Sequence, residues 1–215
     1  MPHQIMLYKF IPAEYAMCSI KGNYFKLTTI KEANDPYEFK AIRNLEGGIT
    51  DLITHPNFSE SYLVACFSKG FESPTMWSHY AKNHTGFVMG YECLNNNKPI
   101  KVKYTDKLSK YKDIDKQELI NHLAKTKYKE WSYEKETRIL IPLNDKEELD
   151  DGLQYENFGE RLQLKQVILG INNQINRVKL QDFLERNYQE KVYLYNAEVA
   201  PNEFRVVSVK YESQI

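Results

Sequence analysis

The chain has almost no sulfur chemistry to work with. Among 215 residues there are three cysteines, Cys18, Cys66 and Cys93, far apart and with no Cys-x-x-Cys pair. That argues against a disulfide framework or a thiolate zinc site. Cys66 sits inside the apolar run "YLVACFS" and reads as a small core residue. Net charge is also missing, since 29 basic residues balance 29 acidic ones. The balance removes the broad positive field of a protein that holds nucleic acid mainly by its phosphates, although a local basic patch remains open. No run approaches the roughly 20 apolar residues a membrane helix needs, and no basic start leads into an apolar stretch. The expectation is a soluble, cytoplasmic protein that does not engage a membrane.

What is present suffices for a sizeable core, and the spacing of apolar residues predicts a single domain over 1–215. "IMLYKFI", "YFKLTT", "YLVACFS", "GFVMGYE", "IKVKYT" and "LKQVILG" read as strands, and "KVYLYNAEV" with "EFRVVSVKY" as a hairpin around Ala200-Pro201-Asn202. Helices are expected over "AEYAMCSIKG", stopped by Gly22, and from Ser73 with Pro74 in the first turn to Gly86. Two more are expected over 115–128 and 173–187, while an Asn-rich turn at 95–97 and a loop over 44–58 separate elements. Strands outnumber helices, which points to an α+β fold with a mostly antiparallel, curved sheet and interspersed helices.

The sharpest chemical signal is "KEWSYEKETRILIPL", residues 129–143. Read as one strand, it places Glu134, Glu136 and Arg138 on one face and Thr137, Ile139 and Ile141 on the other. A solvated edge strand explains the charges, and the neighbouring Trp131 and Tyr133 less well. An aromatic-walled cleft with a convergent glutamate pair explains both. Arg138 beside Ile139 and Leu140 is expected to be partly buried and paired with Glu134, Glu136, Asp35 or Glu38. Elsewhere the bland readings are stronger. "ANDPYE", with Asn34, Asp35 and Glu38, is first of all a turn. Ser68 in "CFSKG" lacks the elbow of a serine nucleophile. His79 and His84 are five apart, not the four of a helical zinc pair, and Trp77 and Tyr80, near one helical face, are more often core than binding platform.

In order along the chain, "LYKF", "ANDPYE", "CFSKG…MWSHYAKNHTGFVMGYE" and "KYKEWSYEKETRI" resemble the bacterial family called domain of unknown function 2971. More loosely, the layout resembles the ADP-ribosyltransferases, whose split, mostly antiparallel fold binds NAD in a cleft. That resemblance implies NAD as substrate and Glu136 and Glu134, in "YEKE", as the catalytic pair. It makes Tyr8 and Lys9 of "LYKF", Ser68, Asn34, Asp35, Trp77, Tyr80 and Arg138 candidates for contacts to NAD. Tyr8 and Lys9 stand where that family has His or Arg. It also implies a macromolecular acceptor, protein or nucleic acid, and, for a toxin or phage-defence effector, a cognate antidote protein. Two other classes remain open. In a metal-dependent nuclease or phosphoesterase, Asp35, Glu38, Glu134 and Glu136 would hold magnesium, with Lys129 or Arg138 on a phosphate. In a binding module, the aromatic cleft would grip a nucleotide or peptide without turnover.

Overall fold

A computed structural model describes residues 5–29, 35, 37, 38, 42, 43, 62–94, 99–110, 116–142 and 154–212, and among these described residues there are fourteen strands and four α-helices. The first part holds β1 (Met6–Ile11), α1 (Ala13–Gly22), β2 (Tyr24–Thr29), β3 (Ile42–Arg43) and β4 (Tyr62–Ser68). Next come α2 (Pro74–Tyr80), β5 (Phe87–Cys93), β6 (Ile100–Lys101), β7 (Lys103–Thr105), β8 (Ser109–Lys110) and α3 (Lys116–Lys125). Then follow β9 (Thr126–Tyr128), a 3-10 helix (Lys129–Glu134), β10 (Glu136–Pro142), β11 (Gln154–Asn157) and β12 (Leu162–Leu169). The chain ends in α4 (Arg177–Asn187), β13 (Tyr193–Val199) and β14 (Val206–Lys210). The fold is α+β and its pairing is mostly antiparallel. No described helix is long and apolar enough to cross a membrane.

The chain packs as two compact units, each discontinuous in sequence. The first comprises residues 1–24, 67–97 and 157–215. In it β5 lies antiparallel between β1 and β12, β12 runs parallel to β13, and β13 and β14 form the expected antiparallel hairpin. Leu7, Leu164 and Val167 are buried, and β5 is buried continuously from Phe87 to Tyr91, as a strand covered on both faces is. Helix α1 ends where Asn23 turns left-handed, at φ 58°, so Asn23 rather than Gly22 makes the stop. Helix α2 starts as the sequence indicates, with the Ser73 hydroxyl accepting the Met76 N–H at 3.4 Å and Pro74 in the first turn. It stops at Tyr80, earlier than expected, because Lys82, Asn83 and His84 all take positive φ.

Three consecutive left-handed residues with side chains are costly, on the order of 1 to 2 kcal/mol each. A second loop holds them in place. Asn172 N–H donates to the His84 carbonyl at 3.0 Å, Gly170 N–H to Gly86 at 2.9 Å, and buried Asn173 Nδ2 to Thr85 at 2.5 Å. A Cβ at Gly170 would stand 2.1 Å from the His84 carbonyl oxygen, a backbone atom that cannot swing aside. Gly170→Ala should therefore cost about 1 to 3 kcal/mol, as forced packing does. A urea midpoint unchanged from wild type would contradict the staple.

The second unit comprises residues 25–66 and 98–156. Strands β2 and β4 pair antiparallel through Thr28 with Val64 and Thr29 with Leu63, and β10 pairs with β4 and β6. β11 pairs with β2, and two short parallel ladders, β3 with β8 and β7 with β9, lie in the same unit. Phe25, Leu27, Leu63, Leu123, Ile139 and Ile141 are buried. Cys66 is exposed, contrary to its apolar neighbourhood: alternation along β4 turns it away from buried Ala65 and Phe67. The expected helix over 115–128 ends at Lys125 and gives way to β9. Asn34, the turn at 95–97 and the loop over 44–58 lie outside the described residues.

Candidate functional site

The motif at 129–143 is two elements, not one strand. Residues 129–134 wind as a 3-10 helix, Lys135 closes it at φ 46° and ψ 45°, and β10 begins at Glu136. Glu134 therefore does not share a strand face with Glu136 and Arg138. The reversal at Lys135 nevertheless brings the two glutamates to one cation. Lys127 Nζ lies 2.6 Å from Glu134 Oε2 and 2.9 Å from Glu136 Oε2, and 3.3 Å from Glu38 Oε2. Its three N–H groups thus face three carboxylates. The same ammonium stands 5.3 Å from the centre of the Trp131 ring, a cation–π contact.

Arg138 fastens the other side. Its Nε donates to Glu136 Oε1 at 2.7 Å, its Nη2 to Glu136 Oε2 at 3.1 Å, and its Nη1 to the Ala124 carbonyl at 3.3 Å. Nη2 also donates to Glu38 Oε1. The expected pairing of Arg138 is present, and burial is complete: it is 0% exposed, with Glu136 at 4% and Glu38 at 7%. The Glu136 backbone is fixed as well, its N–H donating to the Tyr104 hydroxyl at 2.7 Å. Burial pushes the Tyr104 phenol up to about 12, so it stays protonated.

Among the described residues, Glu38, Glu134 and Glu136 surround the two cations Lys127 and Arg138. Burial alone would raise the Glu136 carboxyl, but Arg138 and Lys127 outweigh it and hold the group at about 2. Burial dominates at Glu38, whose carboxyl is raised despite Arg138 and Lys127. Burial also disfavours charge on Lys127, yet the three glutamates hold its pKa above the usual lysine value. The signs oppose each other. Glu136, depressed when folded, stabilises the fold above the ordinary glutamate range, a contribution lost as pH falls toward 2. Glu38, raised when folded, favours the fold at low pH, and that contribution is lost as pH rises through its folded value. Glu38→Gln should consequently lower the melting temperature at pH 7 less than Glu136→Gln does; the reverse order in thermal melts would contradict this assignment.

A cavity of about 380 Å³ opens in the same unit, within the size range of ligand pockets. Tyr37, Thr105, Leu108, Thr126, Lys127 and Tyr128 are among the residues lining it, and its surface is mainly apolar. Lys127 thus belongs both to the cavity and to the carboxylate cluster. Asp35 caps the turn before it, its Oδ1 accepting the Tyr37 N–H at 2.9 Å. Asp35 Oδ2 is buried with no hydrogen-bond partner among the described residues.

Other expected site residues fall in the first unit. Tyr8 and Ser68 are direct partners in the β1–β4 ladder, and Gln166 Nε2 donates to the Tyr8 hydroxyl at 3.2 Å. Lys9 lies over the Phe67 ring at 5.4 Å. Tyr80, at the end of α2, meets His79 edge-on at 6.2 Å. Trp77 is 0% exposed, its indole N–H donating to the Phe71 carbonyl at 2.7 Å, with Phe10 and His84 against its ring. No face is left for a ligand ring, so Trp77 is core. Lys127 and Tyr104 escaped the sequence reading, because one lysine among Lys125, Lys127 and Lys129 carries no mark of burial. Charge accounting was the available signal: two buried glutamates need more than Arg138 to balance them.

Residues 76–139 match the model of a family described as "Protein of unknown function (DUF2971)". No curated protein and no solved structure gives a significant match to the chain. Four of the five clustered charged residues among those described, Lys127, Glu134, Glu136 and Arg138, lie inside the matched stretch.

Proposed function

We propose that the chain handles a nucleotide, with NAD as substrate and transfer of its ADP-ribosyl group as the reaction. The observation that carries this reading is the convergence of Glu134 and Glu136 on one buried ammonium that also lines a cavity of ligand size. Breaking the bond between nicotinamide and ribose develops positive charge on the sugar, and fixed negative charge beside it lowers that barrier. Glu136, anchored at the first residue of β10, is assigned to the developing cation. Glu134, on the 3-10 turn, is assigned to the proton of the acceptor. In this reading Tyr37 and Tyr128 replace Trp77 as the aromatic walls, Arg138 positions Glu136, and Asp35 remains an NAD contact to be tested. The biological setting proposed is a toxin or phage-defence effector with a macromolecular acceptor and a cognate antidote protein.

Binding without turnover is the second reading. It is favoured by the engagement of both Glu136 oxygens, Oε1 by Arg138 and Oε2 by Lys127 and Arg138. For the transferase, a substrate hydroxyl has to displace one of these donors. The magnesium reading is weakened by the place of Lys127, whose ammonium fills the position a divalent ion would take among the three glutamates. Incubation with NAD labelled in its nicotinamide, with and without cell lysate and with a chelator present, separates the three. The transferase releases nicotinamide in chelator. A binding module shows saturable NAD binding and no release.

A further inference from the structure

We propose that the cavity of the second unit holds a nucleotide by two parts, its aromatic ring against tyrosine walls and its phosphate at the Lys107 ammonium. The inference rests on the nucleotide reading and goes beyond it by naming the residue that selects the phosphate.

The walls come first. Tyr37, Leu108 and Tyr128 line the cavity, yet they are 66%, 39% and 44% exposed. Large side chains left open inside a concavity offer a ligand ring a face to stack on. A volume of about 380 Å³ is at the low end for ligand pockets, which suits one half of a dinucleotide.

The charge of the lining is positive. It includes two ammonium groups, Lys107 and Lys127, and one carboxylate, Asp106. Asp106 is bridged to a third ammonium, Lys129, at 3.2 Å. Lys129 above all, with Lys107 adding to it, holds the Asp106 carboxyl below its usual range, so it stays ionised. One carboxylate thus stands beside two exposed lysines, and a positive charge is left over. Lys127 is engaged by Glu38, Glu134 and Glu136, whereas Lys107 is in no ion pair among the described residues. The phosphate is therefore assigned to Lys107. The turn that carries it is held: at the end of β7, Lys107 N–H donates to the Thr105 hydroxyl at 3.1 Å.

Three probes that separate ring from phosphate test the proposal on the full chain by calorimetry: adenosine monophosphate, adenosine and ribose phosphate. At low salt the monophosphate should bind about fivefold more tightly than adenosine, the upper value for an exposed charge pair, and ribose phosphate most weakly. High salt should narrow that gap. Lys107→Ala should bring the monophosphate down to the affinity of adenosine and leave adenosine unchanged, while Lys107→Arg should keep the difference. Tyr128→Ala should weaken both ring-bearing probes about tenfold. Both side chains are exposed, so the melting temperature should not move. Equal affinity for the monophosphate and adenosine, an equal loss of both in Lys107→Ala, or no saturable binding of the monophosphate would overturn the proposal. The transferase fails by a different readout, the absence of nicotinamide release from NAD. A phosphate preference lost in Lys107→Ala, without release, would sustain this inference and remove the transferase. Release without that preference would do the reverse.

Discussion

Arg138→Ala should lower the melting temperature by roughly 6 to 20 °C. Arg138 is wholly buried, and its guanidinium pairs with both Glu136 and Glu38. Truncation would leave two buried carboxylates with Lys127 as their remaining cation among the described residues, and a cavity where the guanidinium stood. Breaking a buried ion pair from one side costs about 3 to 5 kcal/mol. In a chain of this length each kcal/mol moves the midpoint by about 2 to 4 °C. The loss should be smaller when Glu136 is removed at the same time, since the double variant no longer buries that unpaired charge. Thermal unfolding followed by circular dichroism on the two single variants and the double variant measures it. An unchanged midpoint for Arg138→Ala would show that the network contributes nothing to the fold, and strictly additive losses would show that Arg138 and Glu136 are not coupled.

The local elements were legible where the code is local. Strands at 24–29 and 62–68 and the helix at 13–22 have the bounds expected from their residue types, although Asn23 rather than Gly22 makes the helix stop. The hairpin closing the chain also follows from its turn residues. The misses have a common cause. Lys82, Asn83, His84 and Lys135 adopt left-handed backbone with no glycine to announce it, and each changes where a following side chain points. Tertiary hydrogen bonds hold the first group, and no pattern of residue types encodes those. Parallel pairing of β7 with β9 and of β3 with β8 joins segments far apart in sequence, which periodicity cannot register. The site divides the same way. Glu134, Glu136 and Arg138 stood out as charges in an apolar run. Lys127 and Tyr104 did not, because burial and register are set only once β7 and β9 meet.

Glu136→Gln should abolish nicotinamide release, a loss on the order of 10²–10³ or more in rate, as for removal of one preorganised electrostatic stabiliser. Glutamine keeps the volume and one acceptor oxygen but cannot balance Arg138 and Lys127, so some loss of stability accompanies the loss of activity. Glu134→Gln removes one of three carboxylates around Lys127 and leaves the Glu136–Arg138 pair in place. It should impair transfer to an acceptor while sparing slow hydrolysis of NAD. The most direct test compares nicotinamide release from labelled NAD by wild type and by Glu136→Gln, below the melting temperature of both and in the presence of chelator. The account predicts release by wild type and none above background by the variant. Equal rates from the two proteins would contradict the role of Glu136, and no release from wild type that binds NAD would leave the site as a binding pocket alone.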